Sequence, residues 1–147
     1  MKLFIYYSLT GNGELVAGYL QNRGFKVRRV YEKKKMPKKF FFMIMSGGFR
    51  AGLNLKGKLV DYNNDVSEFD EVVIGSPIWN GRFPPAINSV LAQTDLSNKK
   101  LTFVLYSGSG TGPKAVQKIQ KLYPEAKIIF MQEPKTHEFE YDKIANL

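Results

Sequence analysis

Five short apolar runs, separated by helical patterns and glycine-rich loops, most limit how this chain can fold. The runs are Leu3–Tyr7, Lys26–Tyr31, Glu71–Gly75, Leu101–Tyr106 and Lys127–Met131. The first is apolar on both faces, which is typical of a strand covered by helices, whereas the second alternates with charges and is predicted to lie at an edge. Strands that alternate with helices favour a parallel sheet with right-handed crossovers. We therefore predict a three-layer α/β/α fold whose five-stranded parallel sheet has the order 2-1-3-4-5.

Three helical patterns follow the first, third and fourth runs. The first begins near Glu14 and ends before Gly24, and the other two begin at proline, a residue that suits the first helical turn. A weak apolar stripe over residues 139–147 predicts a short terminal helix. The predicted inward-facing residues are Leu15, Val16, Tyr19 and Leu20 in the first helix, Ile87, Val90 and Leu91 in the second, and Val116, Ile119 and Tyr123 in the third.

The composition limits the classes of protein to which this chain can belong. Its 147 residues, 44% of them hydrophobic, suit one domain over residues 1–147. It contains no cysteine, which excludes disulfides, thiolate metal sites and cysteine nucleophiles. No signal-peptide pattern precedes the first strand and no apolar run approaches the ~20 residues of a membrane helix, so we expect a cytoplasmic protein.

A basic and aromatic insertion at about residues 33–64 is too long for a simple crossover. Eight lysines and arginines lie between Lys33 and Lys58 without an acid, and they flank the aromatic run Phe40–Met45. We interpret this run as a helix packed on the sheet, which the Gly47-Gly48 pair would bend or break. A surface that docks on lipid or a partner protein is an alternative, because basic residues beside exposed aromatics are typical of interfaces. A lid over a ligand is a third interpretation.

The loop between the first strand and the first helix suits a phosphate group. Its glycines allow close approach of the main chain, and Ser8 and Thr10 add hydroxyls to the free N–H groups of a helix N-terminus. The loop contains no lysine or arginine, so we expect peptide dipoles rather than a cation to neutralise the anion.

Two further loops follow the third and fourth strands and would meet the first loop at the same edge of the sheet. Trp79 is the only tryptophan, and in a glycine- and proline-containing loop we expect an exposed indole that stacks on a planar ligand. An indole folded back onto the helix after Pro84 is the alternative. Tyr7, Tyr106 and Phe83 are secondary candidates for the other ring face. A flavin mononucleotide, FMN, has the flat ring and the phosphate that these loops suit. The candidate cofactor-binding residues are Ser8, Leu9, Thr10, Gly11, Asn12 and Gly13, then Pro77, Ile78, Trp79, Asn80 and Gly81, and finally Ser107, Gly108, Ser109, Gly110 and Gly112.

At these three loops the chain resembles the flavodoxin family, and the resemblance extends from Lys2 to Met131. The resemblance implies non-covalent binding of FMN and transfer of one or two electrons through the exposed edge of the ring. It also implies that the Asn80-Gly81 peptide could flip, so that its carbonyl accepts a hydrogen bond from N5 of the reduced flavin.

The chain departs from the family pattern in two respects. Gly13 stands where the family commonly has a hydroxyl residue, which predicts weaker FMN binding. The net charge is +9, whereas electron-carrying flavodoxins are usually acidic. We therefore expect either an acidic redox partner or a role other than that of a long-lived electron carrier. We also expect a less negative second reduction potential than in an acidic homologue.

The sequence also allows functions other than that of an electron carrier. An FMN-dependent NAD(P)H reductase of quinones or nitro compounds is one alternative, although the sequence has no Gly-x-Gly-x-x-Gly fingerprint. A dedicated flavoprotein activator of one partner enzyme is another. Nucleic-acid binding is supported by charge alone and is not expected. His137 is the only histidine and has no nucleophile elbow to serve, so we predict no catalytic side chain, and the acids around Asp65 lack the spacing of a metal site.

Overall fold

A computed structural model describes residues 1–33, 38–39 and 56–147 of the chain. The predicted helix at residues 40–45, the glycine pair at 47–48 and most of the basic insertion lie outside the described residues. The described elements are β1 (Lys2–Tyr6), α1 (Asn12–Gln21), β2 (Lys26–Arg29), β3 (Glu71–Pro77), α2 (Pro85–Gln93), β4 (Lys100–Tyr106), α3 (Pro113–Leu122), β5 (Lys127–Met131) and a 3-10 helix (Glu138–Ile144).

The five strands form one parallel sheet in the order β2-β1-β3-β4-β5, which confirms the predicted topology. β1 lies between β2 and β3, and in this register Tyr6 is opposite Arg29 on one side and Gly75 on the other. The central strands are buried on both faces because helices cover both sides. Among the described strands β2 pairs with β1 alone, and it is only partly buried, as its charged sequence predicts for an edge strand.

Each face of the sheet has its own apolar cluster. α1 and the 3-10 helix cover one face, where Val16 and Leu20 of α1 meet Phe4, Tyr6 and strand residues further along the sheet. α2 and α3 cover the other face. One cluster lies between the sheet and the helices on each face, which gives three layers. Burial of this apolar surface is the main favourable contribution to the free energy of folding.

The predicted inward faces of the helices are right in α2 and only partly right elsewhere. In α1 the buried residues are Gly13, Val16, Ala17 and Leu20, whereas Leu15 is 42% exposed, so its assignment to the core face is wrong. At 3.6 residues per turn, positions 13, 16, 17 and 20 lie on one side of the helix and position 15 does not. In α3 the buried residues are Ala115 and Ile119, while Val116 and Tyr123 are half-buried.

Candidate functional site

Three loops meet at the carboxyl edge of the sheet, where a doubly wound fold binds its ligands. They follow β1, β3 and β4, which are neighbours in the sheet. We call them the first loop (Ser8–Gly13), the second loop (Pro77–Arg82) and the third loop (Ser107–Gly112). The structure therefore brings the three predicted groups of residues to one edge.

The first loop ends at the N-terminus of α1, with backbone donors available to an anion. The N-cap residue is Gly11, which lies at φ +99° and has no side chain with which to cap the helix. The N–H of Gly13 donates to Ser8 Oγ at 3.2 Å. Ser8 is buried, while Leu9 and Thr10 are exposed. A glycine N-cap leaves the helix end open to a ligand such as phosphate.

Close packing beneath the first loop explains why Gly13 is not a serine or threonine. A Cβ added at this position would lie 2.6 Å from Ser8 Cβ and 2.7 Å from Tyr6 Cδ2, both too close for real contacts. A hydroxyl residue could fit here only if the strand end and the helix moved apart. The glycine noted as a departure from the family pattern is thus required by the local packing.

A cation from outside the first loop lies beside it, although the loop itself contains no lysine or arginine. Arg29, the last residue of β2, lies beside the end of β1 through the parallel register. Its Nη2 donates to the Ser8 carbonyl at 3.5 Å and its Nη1 lies 2.5 Å from Glu14 Oε1. The prediction that peptide dipoles would neutralise an anion considered only the residues of the loop itself, whereas a neighbouring parallel strand ends at the same edge.

Lys135 is a second cation at the first loop and comes from the segment after β5. Its Nζ donates to the Thr10 carbonyl at 3.4 Å, and its backbone N–H donates to Asn12 Oδ1 at 3.0 Å. The same Nζ lies 3.9 Å from where a Cβ on Gly11 would be. More than 120 residues separate Lys135 from its partners, so no sequence pattern could have identified it.

The second loop is a tight turn across Trp79–Arg82. Trp79 N–H donates to the Arg82 carbonyl at 2.9 Å, and Arg82 N–H returns a bond to the Trp79 carbonyl at 3.0 Å. Asn80 at φ +50° and Gly81 at φ +76° both lie in the left-handed region, which defines a type I′ turn. Flipping the central peptide would give a type II′ turn, in which the position of Asn80 favours glycine. The proposed flip would therefore carry a backbone cost at Asn80.

The indole of Trp79 is buried, with only 4% of its surface exposed, so the predicted exposed indole is wrong. Its ring lies edge-on to Tyr7 with centroids 5.9 Å apart. The sequence placed Trp79 correctly in the loop but could not show that Tyr7, at the end of β1, lies next to it. In this structure the indole belongs to the core cluster beneath the loops.

The third loop is held by its own polar side chains. Ser107 Oγ donates to the Thr111 carbonyl and accepts from the Thr111 N–H, both at 3.0 Å. Gln132 Nε2 donates to the Gly108 carbonyl at 3.0 Å, which ties the loop to the segment after β5. Gly110 lies at φ +70°, and apart from its chain neighbours no atom of the described residues lies within 4 Å of where its Cβ would be. A flat group could approach the main chain here without a steric clash.

The other aromatic candidates are structural in this conformation. Tyr7, Phe83 and Tyr106 are all at least 92% buried. Burial, with a contribution from the Glu32 carboxylate, raises the pKa of Tyr7 to about 12. Burial also raises the pKa of Tyr106 well above its ordinary value. Both phenols therefore stay neutral over the physiological range of pH.

Among the described residues, none of the helices has both the length and the apolar character needed to cross a bilayer.

The sequence and the fold were compared with those of known proteins. The profile of the flavodoxin domain family matches residues 53–142, which is more than half of the chain and includes the second and third loops. The chain therefore belongs to the flavodoxin domain family. No curated protein sequence matches it.

Several solved structures share the fold. A protein from Bacteroides eggerthii DSM 20697, inferred to be a flavoprotein, is 18% identical with a TM-score of 0.67, and the match covers 99% of this chain and 98% of that one. One from Bacteroides uniformis ATCC 8492, also inferred to be a flavoprotein, is 21% identical with a TM-score of 0.64 and coverage of 87% and 88%. A flavoprotein from Lactobacillus acidophilus NCFM, solved in complex with FMN, is 17% identical with a TM-score of 0.59 and coverage of 87% and 89%.

Proposed function

We propose that this protein binds FMN non-covalently at the carboxyl edge of the sheet and acts as an electron-transfer protein. The observation that carries the proposal is the meeting of three loops at the edge of a sheet whose order and family are those of flavodoxins. The FMN complex of the Lactobacillus acidophilus flavoprotein, which has the same fold, supports the choice of cofactor.

The first loop fits the phosphate end of FMN. An N-cap without a side chain, the Ser8 hydroxyl and two nearby cations form a set of donors suited to a phosphate monoester. We infer that Ser8 and the backbone from Thr10 to Gly13 would hold the phosphate. The second and third loops would hold the ring through main-chain groups, of which those beside Gly81 and Gly110 are the least hindered by side chains.

When bound, FMN would supply chemistry that this chain lacks, the reversible uptake of one or two electrons. The residues of the protein would bind the cofactor, orient its ring edge and set the surrounding charge. No catalytic side chain is assigned. Because the chain carries a net charge of +9, an acidic redox partner protein would be favoured in the encounter.

The test is a titration of the purified protein with FMN, followed by anaerobic stepwise reduction with dithionite and then by an assay with NADPH. An electron carrier should quench FMN fluorescence with one-to-one stoichiometry and pass through a one-electron stage on reduction. Direct two-electron reduction together with rapid NADPH oxidation in the presence of a quinone would instead identify a reductase. Failure to bind FMN at high micromolar concentration would refute the proposed function.

A further inference from the structure

The charged groups around the first loop form a connected set centred on Glu14. The Ser8 hydroxyl donates to the Glu14 carboxylate, and Arg29 Nη1 pairs with the other oxygen of this carboxylate at 2.5 Å. Arg29 Nη2 also contacts the Ser8 carbonyl. The carboxylate thus engages a hydroxyl and a guanidinium, two groups that commonly bind phosphate.

We propose that Glu14 acts as an internal anion that occupies the phosphate donors of the first loop, and that the phosphate of bound FMN displaces it from Ser8 and Arg29. The inference rests on the proposed function, since it concerns how the same site receives its cofactor. A carboxylate and a phosphate cannot both accept the single proton of the Ser8 hydroxyl. Their negative charges also repel each other when both groups lie beside Ser8. Glu14 would therefore lower the affinity for FMN and favour release of its phosphate end.

The surroundings of Glu14 allow such an exchange. The side chains of Glu14 and Arg29 are 35% and 34% exposed, so the carboxylate can move into solvent without leaving a buried charge. Arg29 also has a second contact that can hold it in place, because its guanidinium lies over the Tyr31 ring, 4.9 Å from the centroid. Its Nε is buried and has no hydrogen-bond partner within the part of the chain that the structure describes.

Lys135 would bind the phosphate without competition. Its Nζ contacts only a carbonyl oxygen in the first loop, and no acid lies within ion-pair distance of it among the described residues. Lys135 is exposed, so replacing it removes a charge without disturbing the core. Substitutions that remove the charge of Glu14 and of Lys135 should therefore change the affinity for FMN in opposite directions.

The experiment compares the dissociation constants of FMN and riboflavin, which lacks the phosphate, by fluorescence quenching at low salt. Glu14→Gln should tighten FMN binding by about three- to tenfold, the range expected for removal of a partly exposed competing charge. Lys135→Gln should weaken it by a similar factor. Riboflavin binding should stay the same in both variants. Glu125→Gln changes an exposed residue in the turn before β5, at the amino ends of the strands and so away from the three loops; it removes the same charge and should change neither constant.

Different results would refute the proposed binding of FMN and the proposed displacement of Glu14. If the unmodified protein binds neither flavin, the proposed function fails. If it binds FMN but Glu14→Gln binds FMN equally well or more weakly, the displacement is refuted. Should Glu14→Gln fold poorly by circular dichroism, the competition of inorganic phosphate with FMN is compared instead between the unmodified protein and Glu14→Asp. The proposal requires phosphate to weaken FMN binding more strongly in Glu14→Asp, whose shorter carboxylate reaches Ser8 less well, than in the unmodified protein; equal competition would refute it.

Discussion

Gly75 lies where two aromatic rings leave no room for a side chain. A Cβ at this position would be 2.4 Å from Phe4 Cζ and 2.5 Å from the hydroxyl of Tyr106. Both rings belong to the cluster beneath α1, and the Tyr106 hydroxyl is buried without a hydrogen-bond partner among the described residues. The third strand can therefore lie between β1 and β4 at this point only because residue 75 has no Cβ.

We expect Gly75→Ala to destabilise the protein by about 1–3 kcal/mol, since overpacking forces rings or backbone to shift. Gly18→Ala is the matched control, because Gly18 is an exposed residue within α1 with no atom near the added Cβ. This control should raise the free energy of unfolding by about 0.5–1 kcal/mol through helix propensity. Urea denaturation measures both values. Equal stability of Gly75→Ala and the unmodified protein would show that the rings are not as close as described.

At the scale of elements, the N-terminus of α2 depends on a residue from another part of the chain. Pro84 and Pro85 have no N–H, so the first free donor of this helix is the N–H of Ala86, and the Glu32 carboxylate accepts it. Burial raises the pKa of Glu32, and one of its oxygens is buried without a hydrogen-bond partner among the described residues. The protonation state of Glu32 therefore affects how well the N-terminus of α2 is stabilised.

The raised pKa predicts how stability depends on pH. The raised pKa means that the folded state favours protonated Glu32. The stability that protonation of Glu32 adds to the folded state is therefore complete at low pH, and it is lost as the pH rises through the pKa of Glu32 in the folded state. Glu32→Gln keeps the oxygen that accepts from Ala86 but carries no charge. It should melt at a higher temperature than the unmodified protein at pH 7, and the difference should disappear near pH 4. Glu125→Gln controls for the loss of one negative charge, and an unchanged or lower melting temperature of Glu32→Gln at pH 7 would contradict the prediction.

At the scale of the whole molecule, the net charge of +9 makes the average electrostatic field of the protein positive. Arg29 and Lys135 bring two of these charges directly to the first loop. A positive field stabilises the negative charge that a flavin gains on full reduction. The excess of cations should thus favour an acidic partner protein and a less negative reduction potential.

Ionic strength tests the effect of this field on the bound cofactor. Raising the salt concentration from about 0.01 M to 0.5 M shortens the Debye length severalfold. The potential of the final one-electron step should become more negative, by on the order of a few tens of millivolts, since about 59 mV corresponds to a tenfold change for one electron. Free FMN in the same buffers serves as the control in the potentiometric titration. A potential that moves no more than that of free FMN would show that the protein charge does not reach the ring.

The sequence alone was sufficient for the five strands, the three helices between them, the strand order and the position of the three loops. Apolar runs, helical periodicity and prolines at helix starts are local signals, and the parallel topology then brings the ends of β1, β3 and β4 together. The flavodoxin resemblance also came from local motifs in these loops, and the family match agrees with it.

The tertiary structure decided which residues surround the loops, because those contacts join positions that are distant in the chain. Arg29 reaches Ser8 through the register of a neighbouring strand, and Lys135 reaches Thr10 from 125 residues away. Trp79 is buried in a core cluster that also contains Tyr7, whose ring lies edge-on to the indole. Composition and periodicity report what a segment prefers by itself, whereas burial, ion pairing and the space for a side chain depend on what the fold places next to it.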